Sequence, residues 1–172
     1  MIIDFLTFII RFVFIILIQL LVINNIELDT YLNPYIYIVF ILSLPVTMKP
    51  WMVVSLSFFT GLVMDTFSST PGLHMAASGF VGYFRNFYLE FACSKEDFEK
   101  QISPAISSKG FVWFTVYALL LTLLHHTVLF YLEIYSLNEF FRTFFRVISS
   151  TLFSVLIIVI SQLLFFKNKE SR

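Results

Sequence analysis

Long blocks of apolar residues, separated by short polar or proline-containing segments, dominate this sequence. A helix rises 1.5 Å per residue, so about 20 residues cross the roughly 30 Å hydrocarbon layer of a membrane. Backbone groups in lipid must find partners within their own segment, and the blocks lack the alternation of barrel strands, so we predict helices. The six predicted spans are 5–23, 33–48, 51–67, 72–91, 110–132 and 142–166.

The second block is the weakest of the six. Its apolar core covers only 35–47, which is short enough for a re-entrant or interfacial segment. Pro45 and Pro50 flank Lys49, and this pattern predicts a helix break and a tight hairpin into the third span. We nevertheless expect a span over 33–48, because without it the loops that carry lysine would not all fall on one side.

The composition excludes a water-soluble globule. Only 13% of the 172 residues are charged, about half the share of an ordinary soluble domain, and 59% are apolar. The 11 basic and 11 acidic residues cancel, so the basic surface that nucleic-acid binding needs is missing. The single cysteine, Cys93, excludes an internal disulfide and a multi-cysteine metal site. The fold class predicted is a single all-α integral membrane domain, 1–172, with no soluble domain.

The lysines predict the orientation of the chain. The loops 24–33, 68–71 and 133–139 contain no lysine or arginine. Short loops rich in lysine and arginine stay in the cytoplasm, so we predict that both termini are cytoplasmic. The basic residues that alternate crossings put on the other side are Lys49, Lys95, Lys100, Lys109, Lys167, Lys169 and Arg172.

Asp65 is the most informative polar residue inside a predicted span. A carboxylate in hydrocarbon needs a partner, and we expect Arg146 or Arg142, with His74 or His125 next. Either an ion pair that fixes helices or a role in binding a partner is compatible with this position. His125 and His126 are adjacent, hence about 100° apart around a helix, so we predict no metal site there.

Small residues recur along the fourth block. Gly72, Ala76 and Gly79 fall at i, i+4 and i+7 on one helix face, and Ala77, Ser78 and Gly82 broaden that face. Such a face lets another backbone approach closely, either within the bundle or from the helix of a partner. Gly61 precedes Asp65 by four residues, so the third and fourth spans are expected to touch through small residues.

Catalytic motifs are missing from the sequence. It contains no His-Glu-x-x-His, no Gly-x-Ser-x-Gly and no Walker-type lysine loop. The stretch from Gly61 to Asp65 also lacks the glycine beside the aspartate that an intramembrane aspartyl protease shows. We therefore expect no catalytic residue, no cofactor and no enzymatic activity.

The stretch 60–77, TGLVMDTFSSTPGLHMAA, resembles the central motif of the MreD rod-shape-determining proteins. In that family a Gly-Leu-x-x-Asp helix end is followed by a short turn, a glycine and an alanine-rich helix. The matching positions are Gly61, Asp65, Gly72, Ala76 and Ala77. Chain length, hydropathy and inward termini agree with the resemblance over nearly the whole sequence.

The resemblance implies a fold and a role. The fold is a six-helix bundle similar to the membrane substrate-binding subunits of energy-coupling-factor transporters. The role is that of a non-catalytic scaffold in the bacterial inner membrane, part of the elongation machinery (elongasome) that controls cell shape and peptidoglycan synthesis. Its partner is the transmembrane helix and adjacent segment of MreC. Indirect partners are MreB, a SEDS glycosyltransferase and a class B penicillin-binding protein, with membrane lipid around the bundle and no nucleic acid.

A function of another class stays open. The same kind of bundle could be the substrate-binding membrane subunit of a vitamin transporter, with the polar residues around Asp65 lining an outward-facing pocket. Copurification separates the two, since MreC indicates the scaffold and an ATPase coupling complex or a bound vitamin indicates the transporter.

Overall fold

The computed structural model describes residues 2–26, 32–134 and 139–165, and all regular secondary structure in these ranges is helical. Five helices contain 19 or more residues, while the other elements are short. The helices are α1 (Ile2–Leu21), α2 (Ile38–Leu42), α3 (Pro50–Ser68), α4 (Leu73–Ala92), α5 (Lys95–Glu99), α6 (Ile106–Lys109), α7 (Phe111–Ile134) and α8 (Phe140–Phe165), with a 3₁₀ turn at Ile23–Asn25.

The sequence explains several helix ends. Pro50 occupies the first turn of α3, where its fixed φ suits a helix and its missing N–H costs nothing. Gly72 immediately precedes α4 as its N-cap, with a φ of +88°, a backbone conformation that glycine adopts without strain. Ser94 and Asp97 form a reciprocal capping box at the start of α5.

The long helices run between two ends of the bundle, which we name by a residue at each. At the Asp65 end, α1, α3 and α7 finish and α4 and α8 begin. At the Lys49 end, α3 begins beside the last turn of α4, and the first residues of α1 lie near the last residues of α8. Helix α4 is central, since it packs against α3, α7 and the chain around α2.

Residues 32–49, which we call the crossing segment, occupy the middle of the bundle. Pro34 lies against the last turn of α1 at the Asp65 end, and Pro50 begins α3 at the Lys49 end. Only the five residues of α2 are helical in between. Tyr37, Ile38 and Ile41 are completely buried, so the crossing segment contributes the centre of the core.

The backbone of the first half of this segment is satisfied by side chains from distant helices. Oε1 of Gln19 accepts from the N–H of Ile36 at 2.7 Å and of Tyr37 at 3.3 Å, and its Nε2 donates to the carbonyl of Pro34 at 3.1 Å. On α8, Ser150 accepts from Asn33 and Ser154 accepts from Tyr35, each at 3.0 Å. These bonds replace the internal ladder that a helix would supply.

The second half is held by two side chains from α4 and α7. Pro45 has no N–H, and the chain turns after α2, so carbonyls there lack helical donors. Arg85 donates to the carbonyl of Leu44, and Tyr117 donates to that of Leu42 at 2.9 Å. Nε of Arg85 also donates to the Tyr117 hydroxyl at 2.9 Å. The two side chains and the two carbonyls therefore form one chain of hydrogen bonds.

The prediction of a helix over 33–48 is therefore wrong, because only Ile38–Leu42 is helical. The segment does pass between the two ends. Its irregular backbone is buried in protein, where polar side chains reach it, and burial of this kind allows such a backbone at membrane depth. Among the described residues, four helices are long and apolar enough to cross a membrane: Leu6–Asn25, Pro50–Ser68, Phe111–Ile134 and Phe140–Leu164. Helix α4 is as long, but His74, Arg85 and Glu90 make it more polar.

The described lysines all lie at the Lys49 end, on Lys49 itself and on the loop between α4 and α7. Residues 27–31, 135–138 and 166–172 lie outside the described residues, and with them the predicted basic tail. In the loop, Lys109 binds the carboxylate of Asp97. This hydrogen bond, with those from Ser94, lowers the pKa of Asp97 from 3.8 to about 2. The orientation of the bundle in a membrane stays a prediction.

Candidate functional site: the Asp65 end of the bundle

The Asp65 carboxylate caps the helix that follows it in the chain. Its Oδ1 accepts from the backbone N–H of His74 at 2.9 Å and from the hydroxyl of Thr70 at 3.1 Å. Its Oδ2 accepts from the N–H groups of Gly72 at 3.1 Å and Met75 at 3.0 Å. An anion suits this place because the first N–H groups of a helix lack partners and carry positive partial charge.

The predicted arginine partners of Asp65 are thus wrong, and of the two predicted histidines only His74 bonds to it, through its backbone. Arg146 pairs with Glu133 at 2.9 Å and Arg142 with Glu139 at 3.6 Å. His74 contributes its backbone to Asp65, while its ring faces the interior. A buried carboxylate suggests a charged partner, but the backbone N–H groups of the next helix satisfy it equally well.

We expect Asp65→Ala to lower the free energy of unfolding by about 3 kcal/mol, because one buried and two partly buried N–H groups lose their acceptor. Asp65→Asn should cost less, about 1–2 kcal/mol, since one amide oxygen still accepts while the NH₂ group faces donors. The measurement is unfolding by sodium dodecyl sulfate in detergent micelles, followed by tryptophan fluorescence. Thr66→Ala is the control, because exposed Thr66 bonds only within its own helix. Equal stability of the Asp65→Ala and Thr66→Ala variants would contradict the capping role.

Gly61 allows α3 and α4 to touch backbone to backbone. A Cβ at this position would lie 2.6 Å from Cα of Met75 and would also overlap the carbonyl of His74. Further along, a Cβ on Gly82 would lie 2.7 Å from Cβ of Ser57. The prediction that the two spans meet through small residues is confirmed.

The predicted small-residue face of α4 is only partly correct. Ala77 is completely buried, and Gly79 has room beside the Phe58 side chain. Ala76 is exposed, however, and does not pack. The buried face of α4 includes Ser78 and Gly82, which the prediction placed at the broader part of this face. Small residues occur on both faces, and only the neighbouring helices decide which face is covered.

A polar pocket of about 360 Å³, the Asp65-end pocket, opens beside this capped turn. Its walls combine the end of α1, the start of the crossing segment, the turn between α3 and α4, and the α7 and α8 ends. The guanidinium of Arg146 lies 4.1 Å above the Phe130 ring and pairs with Glu133. The pocket is lined by Ile23, Asn24, Ile26, Leu32, Asn33, Pro34, Tyr35, Ser68, Thr70, His74, Glu133 and Arg146.

A buried network of hydrogen bonds lies beneath the pocket. The hydroxyl of Tyr37 is 2.6 Å from Nε2 of His125, 3.0 Å from Nδ1 of His74 and 3.2 Å from Oγ of Ser78. These side chains come from the crossing segment, α7 and α4. The network therefore fixes the floor of the pocket by joining three parts of the chain.

His126 belongs to a second branch of hydrogen bonds. Its Nδ1 lies 2.8 Å from the carbonyl of Thr122, which can only accept, so Nδ1 carries the proton. Nε2 then accepts from Ser154 at 3.4 Å, and Ser154 in turn accepts from the N–H of Tyr35. His126 thus orients a serine that holds the crossing segment.

Two buried nitrogen atoms at this end have no hydrogen-bond partner in the described structure, Nε of Arg146 and Nδ1 of His125. The histidine and acidic side chains of the described residues form no group of three that could hold a metal ion. What converges here is a set of hydrogen-bonding groups and one ion pair. Such a set can bind a polar segment or a small polar molecule.

The sequence pointed to part of this site. His74, His125, Arg146 and Asp65 all lie toward one end, but only His74 and His125 join one network through their side chains. Tyr37 and Glu133 were not predicted. The spacing of Ser150 and Ser154, four residues apart on α8, is the signal that could have indicated a polar face toward the crossing segment.

No protein-family model, no curated protein and no solved structure matches the chain.

Proposed function

We propose that the chain is a non-catalytic membrane scaffold of the MreD type that binds MreC and positions the other proteins of the elongasome. The single observation that supports this most strongly is the use of the motif residues. Gly61, Asp65 and Gly72 each serve the turn between α3 and α4, through close packing, capping and a positive φ. A motif whose residues all build one helix hairpin suits a protein that positions its partners better than an enzyme that converts a substrate.

The Asp65-end pocket is the recognition surface in this proposal. Its rim carries both charges of the Glu133–Arg146 pair, with the Glu133 side chain 40% exposed. The amide side chain of Asn24 and the hydroxyl of Thr70 add hydrogen-bonding groups beside it. A polar segment of MreC next to its transmembrane helix would bind here, on the outer side if the predicted orientation holds.

Copurification with the MreC of the same organism tests the proposal. We expect MreC to be retained by the native chain and lost when Ser68→Trp fills the pocket or Glu133→Gln removes the ion pair. Arg142→Gln is the matched control, because Arg142 is an exposed arginine at the same end that does not line the pocket. No retention of MreC, or equal loss in the control, would overturn the proposal.

The pocket itself favours one second candidate, the substrate-binding membrane subunit of a vitamin transporter of the energy-coupling-factor type. Its volume of about 360 Å³ is within the usual range for small-molecule sites, roughly 300–1,000 Å³. Unpartnered Nε of Arg146 would be one donor for such a ligand. A vitamin or an ATPase coupling complex bound to the purified chain, with no MreC, would favour this function over the scaffold.

A further inference from the structure

A second cavity, the α1–α8 cleft, lies toward the Lys49 end and takes no part in the proposed function. It has a volume of about 320 Å³ and is bounded by α1 from Thr7 to Ile18, by the crossing segment, and by α8 from Ile157 to Gln162. Helix α1 contacts the crossing segment where the rings of Phe8 and Phe12 pack against Phe40. It is the least buried of the four long apolar helices. The cleft is the space left between α1 and α8.

The cleft has a polar half and an apolar half. Thr7 and Arg11 of α1, Ser43 of the crossing segment, and Ser161 and Gln162 of α8 all lie toward the Lys49 end. Toward the Asp65 end, the walls are formed only by isoleucine, valine and phenylalanine. From Arg11 to Ile18 the apolar wall rises about 10 Å along α1. An occupant that fits both halves is amphipathic.

Gln162 gives independent evidence of a ligand. The residue is 1% exposed and lines the cleft, and neither Nε2 nor Oε1 of its amide has a hydrogen-bond partner in the part of the chain described. Burying an amide without partners is unfavourable, and such groups usually bind an ordered molecule. The amide can donate to and accept from a polar head group placed in the cleft.

The position of Arg11 fixes the charge and level of that head group. Arg11 lies six residues beyond Phe5, where the first predicted span begins, so its Cα is about 9 Å deep. Helical side chains tilt toward the N-terminus of their helix, which here is the Lys49 end. A long arginine side chain with this tilt can reach the level of the lipid phosphates.

The lining favours a lipid over a protein helix. An apolar partner helix would leave the buried Gln162 amide without a hydrogen-bond partner, whereas a lipid head group can supply one. A single extended acyl chain is narrow enough, and it can enter from the lipid side, where Ile10 and Phe14 are 66% and 52% exposed. We propose that the α1–α8 cleft binds one anionic phospholipid, with its phosphate at Arg11 and Gln162 and one acyl chain between α1 and α8.

Titration of the delipidated full chain with phosphatidylglycerol or phosphatidylcholine in mixed micelles, followed by native mass spectrometry, tests this proposal. We expect one phosphatidylglycerol to bind about tenfold more tightly than phosphatidylcholine, and Arg11→Gln to abolish that preference. Arg142→Gln, which removes an exposed arginine at the other end, should leave it unchanged. Equal affinity for the two lipids, or equal effects of the two arginine variants, would overturn the proposal.

Filling the cleft tests the position of the acyl chain. Ile157→Trp should remove the bound lipid, whereas Leu156→Trp should retain it, because Leu156 is 54% exposed and does not line the cleft. If Ile157→Trp fails to fold, Gln162→Leu replaces it and should weaken phosphatidylglycerol binding about tenfold while keeping the fold. Full lipid binding by the folded cleft variant contradicts the proposal. Release of a copurifying membrane protein without loss of lipid would show instead that the cleft holds a helix.

Discussion

Replacing Gly61 with alanine is expected to lower the free energy of unfolding by about 3 kcal/mol. The added Cβ would overlap the backbone of α4 at His74 and Met75, and backbone cannot move aside as a flexible side chain can. The two helices must separate, and the bonds from Asp65 to the first turn of α4 lengthen with them.

Gly79→Ala is the matched control for this result. Its Cβ would lie 3.6 Å from Cδ2 of Phe58, an ordinary contact, and alanine favours the helix by roughly 0.5–1 kcal/mol over glycine. We expect this variant to be as stable as the native chain or slightly more stable. Unfolding in detergent by sodium dodecyl sulfate, followed through Trp51 and Trp113, measures both. If the two alanine variants unfold at the same concentration, the close approach of α3 and α4 is wrong.

Gln19→Leu is expected to destabilise the chain by about 3 kcal/mol. The substitution keeps the side-chain volume similar but leaves the N–H groups of Ile36 and Tyr37 and the carbonyl of Pro34 without partners. These groups belong to an irregular stretch of backbone in the core, which has no internal ladder to fall back on. The same detergent unfolding assay measures the loss.

Gln162→Leu provides the comparison, because the two glutamines are equally buried, at 0% and 1% exposure. Gln162 makes no hydrogen bond in the described structure, so its replacement removes an unsatisfied amide and should leave stability unchanged or raise it by about 1 kcal/mol. A loss as large as that of Gln19→Leu would show that burial of the amide, rather than its bonds to the crossing segment, determines stability.

The helix hairpin of α3 and α4 shows how far a sequence argument reaches. Its length, its break between Ser68 and Gly72 and its contact at Gly61 follow from apolar length, turn residues and small side chains. The partner of Asp65 did not follow. Nearly every residue has a backbone N–H group, so a sequence does not show which of them binds a carboxylate. Arginine and histidine can be located in the sequence and are therefore predicted as partners instead.

The crossing segment shows where the argument fails. A run of isoleucine, valine, leucine and phenylalanine predicts a helix, but here the run is buried on all sides and only five of its residues are helical. Its N–H groups bond to Ser150 and Ser154, which are 117 and 119 residues distant along the chain. No local pattern contains that information.

Sequence alone determined that this chain forms long apolar helices, where most of them begin and end, and which end carries the described lysines. These properties depend on how many consecutive apolar residues are needed to cross a membrane and on local turn chemistry. Tertiary structure decided which face of each helix is covered, what binds Asp65 and how residues 32–49 pass through the bundle. Lipid and protein interior are equally apolar, so hydrophobicity does not distinguish them, and only the placement of hydrogen-bonding side chains from distant helices does.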